Sequence, residues 1–131
     1  MPLFGAHLSI AGGHHKAADE AGRLGMETVQ LFTAAPSSWQ VKSEGDGWAG
    51  KLVSADAAAA FKAAVAAASL RHVSVHDSYL INLAAADDAL WAKSVAAFAH
   101  EIAQCDRLGV AYLVTHPGAH VGSGEEAGLK R

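Results

Sequence analysis

The sequence predicts an α/β domain built on about four parallel strands. Two observations predict it: short β-branched apolar runs alternate with alanine-rich segments of helical spacing along all 131 residues, an alternation that generates parallel sheets with right-handed crossovers. A third concerns chemistry. Three of the four predicted strands end in histidine, at His7, His76 and His116.

The first strand is LFGAHL, residues 3–8, and Gly12-Gly13 open a helical segment, HHKAADEAGRLG, whose small side chains suit close packing on a sheet and which Gly25 closes. TVQLF, 28–32, is the second strand, followed by the turn cluster TAAPSSW. Residues 40–54, QVKSEGDGWAGKLVS, hold three glycines without periodicity and read as an exposed excursion. Ser54 is placed to cap a helix over 55–70, with Asp56 in its first turn and Phe61 and Val65 on one face. HVSVH, 72–76, is the third strand. Asp87 and Asp88 start a long helix whose Trp91, Val95, Phe98, Ile102 and Cys105 form the expected inward stripe, with Gly109 as its stop. AYLVTH, 111–116, is the fourth strand, and Ser123 is the expected cap of a last short helix beginning at Glu125 and Glu126. With no later strand to bury that helix, the chain reads as the amino-terminal half of something larger.

Composition narrows the function classes. Ten basic against thirteen acidic residues give a net charge of -3, so no strong positive field draws the chain to nucleic acid. No apolar run approaches the roughly 18 residues needed to cross a bilayer, and MPLFGAHLSI lacks a signal peptide's charged flank and cleavage site; a cytoplasmic location is expected. The lone Cys105 cannot pair internally and is expected to be an inert packed thiol.

In parallel α/β folds reactive groups gather where strands end, because the loops there converge on one rim. Neutral imidazole is a common metal ligand, so His7, His76 and His116 are the candidates for a shared cation site. His120 lies four residues past His116, but Pro117 and Gly118 prevent a helical ligand pair. His14, His15, His72 and His100 read as structural or solvated. Asp77 alternates away from His76 and is expected to hydrogen-bond rather than bind metal. Tyr79 and Leu80 form a loop tip, either a packed turn or a wedge into a nucleic-acid stack. Trp39 is either a loop anchor or a surface aromatic that meets substrate.

GAHLSIAGG, QLFTAAPSSW, HDSYLINLA and THPGAH, in this order and at these intervals, resemble the amino-terminal half of the endonuclease IV family of apurinic/apyrimidinic DNA repair enzymes, from about residue 4 to the end of the chain. The resemblance implies the amino-terminal half of a TIM (β/α)8 barrel, a partial domain of the xylose isomerase-like type over residues 1–131. It implies zinc, three ions in the family, and hydrolysis of the phosphodiester 5′ to an abasic site in double-stranded DNA during base excision repair. It makes His76 and His116 zinc ligands and His7 a neighbour of the metal site. Tyr79 and Leu80 match positions that enter DNA beside the flipped-out nucleotide, and Trp39 matches the tryptophan closing a DNA-contacting loop.

One departure lies in that loop. Where the family reads Lys-Asn-Pro-Arg-x-Trp, this chain has Ala34, Ala35, Pro36, Ser37, Ser38 and Trp39, so the lysine and arginine that meet DNA are missing. The other ligands of a three-ion centre belong to the family's second half. The chain alone is therefore expected to be inactive or to self-associate through open sheet edges. Two alternatives stand beside the nuclease: a metal-dependent sugar isomerase or epimerase on a related barrel, and a non-catalytic half-barrel that pairs with itself.

Overall fold

The computed structural model describes residues 1–131. Its elements run β1 (Gly5–His7), α1 (His14–Arg23), β2 (Thr28–Leu31), β3 (Val41–Glu44), β4 (Gly47–Gly50), α2 (Ala55–Ala67), β5 (His72–His76), α3 (Asp88–Leu108), β6 (Tyr112–Val114) and α4 (Glu125–Leu129). Four strands form one parallel sheet in the order β1-β2-β5-β6, an α/β arrangement consistent with part of a (β/α)8 barrel. The order follows the chain because each crossover helix returns the backbone beside the strand it left. β1 and β6 are the open edges.

Side-chain caps start the two longest helices, α2 and α3. Ser54 Oγ accepts from the Ala57 amide at the start of α2, and Asp87 Oδ1 accepts from the Leu90 amide at the start of α3. Gly109 ends α3 in the left-handed region at φ 72°, a conformation glycine adopts without steric penalty. The core lies between sheet and helices: Val29, Leu31 and Val75 meet Ala17, Ala18, Ala21, Ala58, Phe61, Cys105 and Leu108. Small α1 and α2 residues bring these helices close, and Phe61 is the largest side chain buried between them and the sheet. Gly5 is required at β1 for the same reason of proximity, because a Cβ there would lie 1.9 Å from the Thr28 carbonyl oxygen.

Four expectations need correction. Residues 41–50, read as an excursion, form an antiparallel hairpin that packs on α3. Its turn is Gly45-Asp46, with positive φ at Gly45 alone (59°), the pattern of a II′ turn; the glycines that make the turn also break the period-2 alternation that would mark its strands. The inward stripe of α3 is also displaced. Ser94, Ala97, Glu101, Gln104, Cys105 and Leu108 are buried, while Val95 and Ile102 are exposed at 42% and 52%, a rotation of one residue or about 100°. Polar residues occupy that face because loops as well as the sheet cover it. Ser123 does not cap α4: Gly124 holds that position, and the Ser123 hydroxyl donates to the His120 carbonyl instead. Finally, β6 stops at Val114, two residues before His116, where Thr115 turns to bond Asp77 and Pro117 restricts the residue before it.

Gln104 ties the hairpin's exit to α3, accepting from the Val53 amide and donating to His100 Nε2 at 3.3 Å. Burial lowers the His100 pKa below its ordinary 6.5, so the unfolded chain binds the proton more readily than the fold does. The stabilisation from neutral His100 is present above that value and is lost as pH falls through and below it. We expect the melting temperature to drop between pH 7 and pH 5, and His100→Gln to flatten that dependence; parallel thermal melts of both proteins check it. Burial, and then the Glu101 charge, push the Cys105 thiol up to about 11, which keeps it protonated and unreactive in the fold.

Candidate metal and nucleic-acid site

The C-terminal ends of the sheet strands carry the predicted histidines. β1 ends in His7 and β5 in His76, and the loop after β6 brings His116 back beside them. The His76 and His116 ring centroids are 5.3 Å apart. Phe32, which follows β2, contacts both flanking strands: its ring lies 4.3 Å from His7 and 5.8 Å from His76. Tyr79 closes the group, 5.2 Å from Phe32 and 6.1 Å from His76, both edge-on. One rim thus joins His7, Phe32, His76, Tyr79 and His116. Phe32 is absent from the candidates that sequence reasoning names, although it occupies the end of the one predicted strand that lacks a histidine.

Hydrogen bonds fix two of the imidazoles. His76 Nδ1 lies 2.9 Å from the Asp77 carbonyl oxygen, which can only accept, so Nδ1 carries the proton and the Nε2 lone pair is left for another partner. His7 Nδ1 meets Gln30 Oε1 at 3.0 Å, and the Gln30 amide in turn donates to Ser74 Oγ; this chain along the top of β2 orients His7. Two imidazoles on one tetrahedral ion, with Zn–N near 2.1 Å, hold their centroids about 5 Å apart. The His76–His116 spacing suits that geometry. No three His, Cys, Asp or Glu side chains converge closely enough to hold an ion by themselves, so fewer donors meet here than the four or so a zinc ion takes.

Asp77 hydrogen-bonds as expected but does not point away from His76, whose Nδ1 lies 3.6 Å from Asp77 Oδ1. It is buried and accepts from Thr115 Oγ1 at 2.6 Å, which pins the His116 loop behind the His76 strand end. Asn82 does the same from the front: its side chain donates to the Ala119 carbonyl and accepts from the Ala119 and Ala84 amides. Gly118 (φ 107°) approaches so closely there that a Cβ would lie 2.3 Å from Asn82 Oδ1. The apolar periodicity of α3 conceals Glu101, a buried carboxyl accepting from Thr33 Oγ1 at 2.6 Å. Desolvation raises its pKa above the usual carboxylate range, against the opposing pull of that bond and of the Ser78 amide.

The aromatic candidates separate. Tyr79 is 67% exposed at the rim, and Leu80 beside it is half-buried. Trp39 is half-buried against Val41, Ile81 and Ala97, with the Lys93 ammonium 4.3 Å above its ring and Trp48 of the hairpin on the ammonium's other contact at 5.1 Å. It makes no ring contact with the histidine group. His14 Nε2 bonds the Thr33 carbonyl at 2.7 Å, a structural role, and His72 stands exposed at the opposite end of β5. No helix is long and apolar enough to cross a membrane.

Residues 18–131 match a family model described as a xylose isomerase-like TIM barrel. A protein named "Probable endonuclease 4" from Chloroflexus aurantiacus is 47% identical over 131 residues, which is all of this chain and 43% of that protein. A namesake from Chloroflexus aggregans is 48% identical over the same span. The crystal structure of endonuclease IV from Thermus thermophilus superposes with a TM-score of 0.77 at 36% identity, covering 98% of this chain and 46% of that one. The chain spans less than half the length of these relatives.

Proposed function

The chain belongs to the xylose isomerase-like TIM-barrel family, and on that premise we propose that it is the amino-terminal part of a zinc-dependent AP endonuclease, which hydrolyses the phosphodiester 5′ to abasic sites in double-stranded DNA. The observation that carries this reading is the His76–His116 pair, 5.3 Å apart with the His76 Nε2 lone pair free, on a rim that also presents exposed Tyr79. Homology with endonuclease IV, whose relatives span the whole chain, favours a nuclease over a sugar isomerase.

The chain's own residues divide the work. His76 and His116 would hold zinc through their imidazole nitrogens, and His7, oriented by Gln30, stands with His76 on the rim to bond a phosphate oxygen or a water. Tyr79 and Leu80 project from the rim into the duplex, where their contacts with exposed base faces offset the cost of unstacking beside a flipped-out nucleotide. Trp39 holds the loop that follows β2 on the DNA side. When bound, clustered zinc supplies Lewis-acid polarisation of the phosphoryl group and a nucleophile at neutral pH. Two donors cannot hold a three-ion centre, so residues 1–131 alone bind zinc weakly and do not cleave.

The experiment is incision of a duplex containing one abasic site by a full-length protein in which these 131 residues replace the matching segment of the Chloroflexus aurantiacus relative. Cleavage 5′ to the site, leaving a 3′-hydroxyl, is expected. A folded, zinc-loaded chimera that leaves this duplex intact refutes the proposal, and ketose turnover by it would assign the isomerase reading instead.

A further inference from the structure

Two loops reach the rim without support from sheet pairing: residues 32–39 after β2 and residues 77–83 after β5. Backbone and hydroxyl bonds join them directly, since Ser78 Oγ and the Tyr79 amide both donate to the Pro36 carbonyl, at 2.7 and 3.0 Å. Beneath that junction lies Glu101 of α3, only 5% exposed. Its carboxylate accepts from Thr33 Oγ1 of the first loop at 2.6 Å, and that loop carries Pro36, on whose carbonyl the second loop hangs. Thr33 and Ser78 are themselves 4% and 7% exposed, so water does not replace these contacts.

No lysine or arginine pairs with Glu101; Asp77 disfavours its charge, and His76 favours it less strongly. A buried carboxylate in that setting costs stability relative to an apolar residue of similar size, so stability does not account for a glutamate at this position. Placement of the loops does, because the bond to Thr33 fixes the segment whose Pro36 carbonyl holds Ser78 and Tyr79.

We propose that Glu101 is a positioning residue: it anchors the loop bearing Thr33 to α3 and, through the Pro36 carbonyl, the loop bearing Ser78, and so sets where Tyr79 and Leu80 stand relative to the His76 rim. The inference deepens the nuclease reading, but its structural part does not depend on it. A glutamine keeps the shape but replaces the charged acceptor with a neutral one, so Glu101→Gln loosens the Thr33 bond without emptying the site.

Amide hydrogen exchange on the 131-residue chain tests the structural part. In Glu101→Gln the Ser78, Tyr79 and Ile81 amides are expected to exchange about tenfold faster, with the Val29 and Val75 amides of β2 and β5 unchanged. Adding Thr33→Val to this variant should change the loop exchange by less than the two single effects combined, because both substitutions act on the same bond. Equal acceleration throughout the chain, or none in the loops, overturns the proposal. In the full-length chimera, Glu101→Gln is expected to raise KM for the abasic duplex about tenfold with zinc content and kcat kept within about twofold. Loss of kcat or zinc with KM unchanged overturns the role in placing Tyr79 and Leu80. Failure of the unsubstituted chimera to cleave would strike the nuclease reading, while the exchange result would still decide whether Glu101 holds the loops.

Discussion

His76→Ala and His116→Ala are each expected to weaken zinc binding at least about 100-fold and to abolish incision by the full-length chimera. The loss should exceed the roughly 10–100-fold typical of residues that merely orient a ligand, because each substitution removes a donor from an ion that takes about four. His76 is the more sensitive position. Its Nδ1 is held by the Asp77 carbonyl and its ring packs edge-on against Phe32 and Tyr79, so its Nε2 is fixed before any ion arrives, whereas His116 lies on an exposed loop. His72→Ala, at the far end of the same strand, should leave both properties unchanged. Zinc titration monitored by calorimetry, with circular dichroism to confirm that each variant folds, checks the prediction.

Phe61→Ala should destabilise the chain by about 3–5 kcal/mol, the usual loss for a fully buried aromatic. Its ring is 1% exposed and sits among Ala17, Ala18, Ala21 and Ala58. Alanines cannot swing inward to fill the void, so the loss belongs at the upper end of that range. Against a total stability of about 5–15 kcal/mol for a native domain, such a loss removes much of the margin, and the open edges at β1 and β6 leave little to compensate. Phe61→Leu should cost far less. Urea denaturation of the three proteins, compared at equal slope, measures the differences.

The sheet strands are legible in the sequence because their apolar runs are bounded by glycine, proline or charged residues, and because TVQL and HVSVH are β-branched enough to exclude a helix. His7 and His76 are legible for a geometric reason: a strand's last residue in a parallel sheet has only one rim to occupy, whereas His116 reaches that rim from the loop after β6. Tertiary contacts decide what stays hidden. The buried face of α3 is set by loops that cover Ser94, Ala97 and Glu101, and nothing in the local sequence says that a polar row will be the covered one. Phe32 gives no chemical signal, since a phenylalanine ending an apolar strand reads as core. Glu101 is concealed twice, as a charge on a helix and as a residue next to the apolar stripe that periodicity selects. The hairpin at 41–50 has its turn signal in Gly45-Asp46 but lacks alternating side chains to flank it.

The account rests on imidazoles from β5 and from the loop after β6 sharing one cation. Zinc K-edge X-ray absorption of the zinc-loaded chain tests that most directly by counting imidazole ligands per ion. Two are predicted, falling to one in His116→Ala. An imidazole count that is the same in the chain, in His76→Ala and in His116→Ala would contradict it, since the ion would then be held by other residues.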